Sequence, residues 1–320
     1  MKRRIMLIFS CTLALCVVFA LCACASQSYT PPTKTAKVDT PVIGEKKTLR
    51  VGVNAQNPPF AVQVSGKIVG LDVDIAAALA DELGLTLKIV DVGSDPEGAL
   101  ANGDIDIVMS LDKADTTLTC WLSDPYIQTS VALFAPASTT AAPAVGSAPV
   151  IAAQASSMSA WEVNNQFGDA SLVSSGDLKS VFSSVETGAA AYVAADAVIG
   201  SYVTHTNSID SHIVALMKQP SGYCIGITKA NTALSTAVSE ALKTITTNGM
   251  VAVIESKWLG STLDLTKVPL MEGTAPAKAA ATAAAAVAAP APVAATGAGT
   301  EAEVTAAGAN AVGPTTTPAA

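Results

Sequence analysis

Residues 49–84, LRVGVNAQNPPFAVQVSGKIVGLDVDIAAALADELG, constrain the fold more than any other stretch. LRVGV at 49–53 is apolar and β-prone. Pro58 and Pro59 fix φ and stiffen the loop that follows. VSGK at 64–67 lies between two short apolar runs and predicts a hairpin. Ile75, Leu79 and Leu83 then fall on one face of a helix. Asp72 and Asp74 stand in its first turn, where carboxylates complement the dipole, and Gly84 is its C-cap candidate. Phe60 is thus held by two prolines at the end of a strand, where open α/β sheets receive ligands.

The same alternation continues. Leu85, Leu87 and Ile89 mark a second strand. Ser94, Asp95 and Pro96 give an N-cap and a proline at the first helical position. IDIVM at 105–109 is a third strand, leading into Ser110, Leu111 and Asp112. Strand, helix, strand, helix, strand predicts a parallel sheet. SDPY at 123–126 ends a further short helix, and 129–135 is another strand. A second α/β region begins with a strand at 150–153, and Ser156 and Ser157 can cap the helix that carries Trp161 and Val163. A strand at 190–194 ends at Asp196, and another occupies 223–228. Leu234, Val238, Ala241, Leu242 and Ile245 mark a long helix, and 251–259 a last one. His205 and His212 lie in a polar stretch, 204–213, and read as solvated. Two histidines without a third ligand make a poor metal site, so neither metal nor cofactor is expected.

Both ends differ from this pattern. Lys2, Arg3 and Arg4 precede an apolar run at 5–21, which reads as an export signal over residues 1–23. LCAC at 21–24 resembles the bacterial lipobox, which implies cleavage before Cys24 and lipid on its thiol; a plain signal or an uncleaved helix is the other reading. Removing the leader takes the net charge from −8 to −8 − 3 = −11. An acidic exported chain without a basic stripe is a poor nucleic-acid binder. Residues 24–48 are rich in Thr, Pro, Ser and Lys and read as a tether. Residues 263–320 are assigned to a low-complexity Ala/Pro/Thr tail with disorder as the expectation. Cys120 and Cys224 are either a disulfide or two small buried hydrophobes.

Four blocks carry a family resemblance: LRVGVNAQNPPF with GKIVGLDVDIAAALADELG; ALANGDIDIVMS; LSDPYIQTSVALF; and GYCIGITKANTALSTAVSEALKTITTNGMVAVIESKWLG, preceded by VETGAAAYVAADAVIGSY. Their order and spacing resemble the bacterial extracellular solute-binding proteins that serve ABC importers of polar amino acids. The resemblance implies an α/β, two-lobe periplasmic-binding-protein fold with two hinge crossovers. Lobe 1 would hold 49–132 and 225–262, and lobe 2 would hold 133–224. It implies a non-enzymatic, monomeric binding subunit, lipid-anchored on the extracytoplasmic face of the cell membrane. Its partners would be a small polar, amino-acid-like solute and an ABC transporter permease. An enzyme of dehydratase type on the same fold, or a sensor that does not transport, is the alternative.

Carried over residue by residue, Phe60 matches the aromatic that stacks on the ligand, with a core Phe as the other reading. Asn54 stands where binders of basic amino acids carry an acid, and Asn57 where many members carry an aromatic. An amide does not neutralise a cation, which argues against a lysine- or arginine-like ligand. Ser110 matches the polar residue that ends the third strand. The family's carboxylate-binding Arg is absent from the segment that follows, where Asp112 and Lys113 stand, and Lys is no equivalent at a bidentate site. Ser156 and Ser157 match the hydroxyls and helix N-terminus that receive a carboxylate. Asp196 matches the acid that takes an ammonium group, with a helix cap as the other reading.

Overall fold

The computed structural model of the chain describes residues 34–144 and 146–271. The export signal, Cys24 and the tail beyond Met271 lie outside the described residues.

The chain opens with β1 (Thr48–Val53), then a small sheet of β2 (Gln56–Asn57), β3 (Ala61–Val64) and β4 (Lys67–Val69). Helix α1 (Leu71–Leu83) follows and ends on Gly84 in the left-handed conformation. Next come β5 (Thr86–Asp91), α2 (Pro96–Ala101), β6 (Ile107–Asp112), β7 (Trp121–Leu122) and β8 (Ile127–Thr129). The second half brings β9 (Val131–Pro136), β10 (Ile151–Gln154), α3 (Met158–Phe167), β11 (Leu172–Ser175) and α4 (Leu178–Glu186). It continues through β12 (Tyr192–Asp196), α5 (Ala197–Asn207) and β13 (Ser211–Leu216). Strand β14 (Ser221–Ile227) and helices α6 (Thr232–Thr247) and α7 (Met250–Leu259) complete it.

Besides that small sheet there are two larger ones among the described residues, one per lobe. The first runs β5-β1-β6-β14-β7, with β8 also on β14. Its β5, β1 and β6 are parallel, as alternating strands and helices require, and β14 is antiparallel. The second runs β11-β10-β12-β9-β13. The chain passes between the sheets twice. Ser130 alone separates β8 from β9, and a short loop separates β13 from β14. The passages are tied together: Ser130 Oγ donates to the Lys218 carbonyl at 2.6 Å, and Met217 N–H donates to the Val131 carbonyl at 2.8 Å.

The predicted apolar face of α1 is the core of the first lobe. Ile75, Leu79 and Leu83 are fully buried with Val51 and Val53 of β1 and with Leu234 and Val238 of α6. Each such side chain contributes about 1.5–3 kcal/mol. The helix starts where the loop turns back on it. Leu71 N–H donates to the Pro59 carbonyl and Asp72 N–H to the Phe60 carbonyl. A Cβ on Gly70 would stand 2.0 Å from the Phe60 carbonyl oxygen, so this close approach needs glycine. In the second lobe Phe134 and Phe182 meet edge to face at 5.2 Å, packed with Val193 and Leu216. Helix α5 serves both lobes: Ala197 is buried in the second core and Val198 in the first.

The structure departs from the sequence reading in four places. Residues 34–47, read as tether, dock on the first lobe. Ile43 is fully buried, Lys37 N–H donates to the Leu83 carbonyl, and Lys34 and Lys37 pair with Asp81 and Glu82. Residues 263–271 are read as tail, but Leu263 packs on the first lobe and the rest of the segment on the second. Leu265 joins the core of the second lobe and Leu270 bridges to Leu216. No helix precedes 123–126. Asp115 instead folds back on Thr117 N–H, and Glu97 accepts from Thr119 N–H and Cys120 N–H, the local side-chain bonding that competes with helix. The polar stretch 204–213 forms the end of α5 and the start of β13. Strand β13 is an edge strand, so its exposed residues hide the alternation. Cys120 and Cys224 are free thiols, and Cys224 is a fully buried small hydrophobe.

Candidate functional site

Two concavities collect most of the sequence-predicted residues, but they divide them. The larger, about 350 Å³, lies where the two sheets meet. Asp112, Ser221 and Tyr223 line it from the first sheet, and Gln154, Ser157 and Asp196 from the second lobe. Thr129, Ser130 and Lys218 line it from the two passages between the sheets. The smaller, about 220 Å³, belongs to the first lobe and is lined by Asn54, Asn57, Phe60, Asp72 and Ser110. Lys113 and Ser156 line neither. Lys113 is exposed and lies 3.9 Å from Asp124, and Ser156 is exposed.

Asp196 is the more heavily hydrogen-bonded of the two carboxylates that line the larger cavity. It ends β12 and caps α5, accepting from Val198 N–H at 2.9 Å and Ile199 N–H at 3.0 Å. Its other oxygen accepts from Thr129 Oγ1 at 2.5 Å and from the Tyr223 hydroxyl at 3.2 Å. Cap and cavity roles therefore coincide in one side chain. Burial pushes its carboxyl above the usual range, against the pull of these four hydrogen bonds. Asp112 ends β6; its Oδ1 accepts from Ser221 Oγ at 2.6 Å and Ala114 N–H at 2.9 Å. Ser157 is the N-cap of α3, accepting from Ala160 N–H at 3.1 Å while its hydroxyl donates to the Gln154 carbonyl.

In the smaller concavity Phe60 is only 1% exposed. Its ring packs edge to face on Tyr223 with centroids 4.5 Å apart. Asn54 is exposed and its side chain accepts from Gln56 N–H. Ser110 has φ 60°, left-handed backbone for a residue that is not glycine, and so does Ser156 at 58°. Such strain persists where surrounding structure enforces it, commonly at functional sites. At Ser110 it turns the hydroxyl onto Asp72.

Tyr223 joins the two concavities, with its ring on Phe60 and its hydroxyl on Asp196. Sequence reasoning placed it in a strand and gave it no role. The signal needed is the pairing of Tyr223 with Asp112 across the β6–β14 ladder, which alternation within one strand does not contain. Thr129, Ser221 and Asp72 were missed for the same reason: each becomes a site residue through a partner remote in sequence.

Among the described residues no helix is long and apolar enough to cross a membrane, and no group of three His, Cys, Asp or Glu could hold a metal ion.

Comparison with known proteins agrees with this architecture. Residues 49–261 match the sequence profile described as "Bacterial extracellular solute-binding proteins, family 3". The arginine-binding extracellular protein ArtP of Bacillus subtilis is 31% identical over 111 residues, which is 34% of this chain and 38% of that protein. The match thus spans well under half the length of that relative. Among solved structures, the substrate-binding protein of a polar amino acid ABC uptake transporter from Streptococcus thermophilus is similar, with a TM-score of 0.61 and 19% identity, covering 69% of this chain and 90% of that one. An ancestral cationic amino acid solute-binding protein gives a TM-score of 0.58 at 24% identity, over 67% of this chain and 96% of that one. At these identities the two structures speak to the fold.

Proposed function

The chain belongs to the bacterial extracellular solute-binding proteins of family 3, and on that premise we propose that it is the solute-capturing subunit of an ABC importer. The solute is small and polar, of amino-acid size. The observation that carries this reading is the cavity of about 350 Å³ that both lobes line, with Asp112 on one side and Ser157 and Asp196 on the other. A ligand in this position touches both lobes and rewards their closure, which removes it from water. Closure pivots on the passages at Ser130 and Lys218, where a single hydrogen bond and one ladder contact join the crossing segments. Lipid on Cys24 holds the protein at the outer face of the membrane, where the permease waits. Phe60 supports the site from behind through Tyr223 and becomes a stacking surface if closure moves that ring.

Size limits what such a ligand must do. Micromolar affinity needs about −8 kcal/mol. A molecule with few heavy atoms reaches that only by pairing nearly every polar group it buries, since each orphan costs about 1–3 kcal/mol. Thermal-shift measurements on the full chain with a panel of amino acids, amines and related solutes test the reading. A solute at 100 times its Kd stabilises the protein by about 2.7 kcal/mol. Silence across the panel, or turnover of a solute, removes the reading. Palmitate labelling that survives Cys24→Ser removes the anchor.

A further inference from the structure

Asp112 and Asp196 line one cavity, one from each lobe, and neither forms an ion pair among the described residues. Their hydrogen-bond partners are hydroxyls and backbone N–H groups. Among the described residues, both bonds to the Asp112 carboxylate fall on Oδ1 and leave Oδ2 without one. Tyr223 fixes the relation of the two acids. It faces Asp112 directly across the ladder, which sends both side chains to the same side of the sheet, and its hydroxyl reaches Asp196. Consistent with that arrangement, burial and then the nearby charges of Asp196, Asp112 and Asp72 push the tyrosine's pKa up.

Positive charge is scarce here. Arg50 is the one arginine outside the leader, and it is bound to Asp106 at 2.7 Å in the first lobe. Lys218 lines the cavity but is exposed and belongs to no ion pair among the described residues. What is fixed of Lys218 is its carbonyl, held by Ser130. Closing the lobes takes two carboxylates out of water, and a cation on each offsets that cost. A neutral amino acid brings one ammonium and a further carboxylate, for which no arginine fork is available. The remaining wall includes Val131, Ala194 and Ile199, which suits an alkyl chain.

Resting on the reading of this cavity as the solute site, we propose that the solute is a small organic dication without a carboxylate, of the α,ω-diamine class. One ammonium pairs with Asp196 and the other with Asp112, which makes Asp112 the specificity-determining residue. The amides at Asn54 and Asn57 do not bear on this, because they line the other concavity.

The test is calorimetric titration of the full chain with matched pairs: putrescine against ornithine, and cadaverine against lysine. Each pair differs by the carboxylate alone. Glutamine and serine serve as neutral amino acids, and butylamine as a monocation. The expected result is that each diamine binds at least about tenfold more tightly than its amino acid, and that Asp112→Asn weakens diamine binding by a similar factor while affecting butylamine less. Asp112→Glu, which keeps the charge, retains the preference. Ornithine or lysine binding as tightly as the diamine, or tighter, overturns the proposal and leaves solute capture standing, as does tight binding of a neutral amino acid. Undiminished diamine binding by a folded Asp112→Asn protein overturns it too. Binding by none of these solutes removes both the proposal and the reading beneath it.

Discussion

Ser110 Oγ donates a 2.6 Å hydrogen bond to Asp72 Oδ2, so the residue at the cleft end of the third parallel strand is fastened to the first turn of α1. Tyr126 completes the group. Its hydroxyl donates to Asp72 Oδ1 at 2.7 Å and accepts from Ser110 N–H at 3.0 Å. The carboxylate at the centre is 1% exposed, and among the described residues it has these hydroxyls and the helix dipole but no cationic partner. The left-handed backbone of Ser110 is held by three bonds to two neighbours rather than by a ligand.

Burial pushes the Asp72 carboxyl up from 3.8 to about 6. The sign of the consequence follows. Between pH 6 and the unfolded value the folded state holds a proton that the unfolded state has lost, so stability rises as pH falls through 6 and levels off near 4. Above pH 6 the cost is fully present, on the order of 3 kcal/mol. Asp72→Asn abolishes this titration while keeping a group that hydrogen-bonds both hydroxyls. Urea unfolding at a series of pH values is therefore expected to show the variant more stable than the wild type at pH 8, with the gap narrowing toward pH 4. A gap independent of pH would mean that Asp72 is solvated.

Tyr223→Phe keeps the ring on Phe60 and removes the donor to Asp196. That hydrogen bond is one of those pulling the Asp196 carboxyl down against burial. The expected outcome is that Asp196 titrates at a higher pH than in the wild type, read by carboxyl-carbon NMR. The fold should lose about 0.5–1.5 kcal/mol. An unchanged Asp196 titration would show that the 3.2 Å contact does not persist in solution.

These residues show where the sequence was informative. The face of Ile75, Leu79 and Leu83 is a local periodicity, and it is buried in the structure as the period demands. The Asp95-Pro96 start and the Gly84 stop of helices are equally local, and both cap as expected. Helix α4 is not legible although Val181, Phe182 and Val185 form an apolar face, because serines interrupt it. The site was legible only in part. Asp196 and Asp112 are named by the family resemblance; the apolar strand before Asp196 by itself points equally to a helix cap. Which of the named residues share a cavity depends on how β6 pairs with β14 and β12 with β9, and pairing between strands so remote in sequence leaves no trace in either strand's own alternation.

Ser130 is the whole linker between β8 and β9, and its hydroxyl holds the opposite passage at the Lys218 carbonyl. Ser130→Ala should cost about 1 kcal/mol. The loss is local to the pivot, so hydrogen exchange is the more telling measurement. Met217 N–H, which bonds to the Val131 carbonyl beside it, should exchange faster in the variant, while Val51 in the centre of the first sheet should not change. Equal acceleration at both amides would mean that the substitution weakens the fold as a whole rather than the pivot.

Leu265 separates the observed boundary of the second lobe from the one read in the sequence. The sequence reading puts it in the tail assigned to 263–320, where a leucine in a solvated segment would be replaceable by alanine at no cost. In the structure it is buried with Phe134, Phe182 and Leu216, and the segment behind it is fixed by Leu216 N–H donating to the Pro269 carbonyl and Met271 N–H to the Leu216 carbonyl. Leu265→Ala thus removes buried methyl groups from a packed core. The expected loss is about 2–5 kcal/mol, because transfer and cavity costs add. Chemical denaturation should show it as a lower midpoint with an unchanged slope, while Lys267→Ala two residues on, exposed and paired with Asp264, stays within about 0.5 kcal/mol of the wild type. Equal, small effects at the two positions would return this segment to the tail.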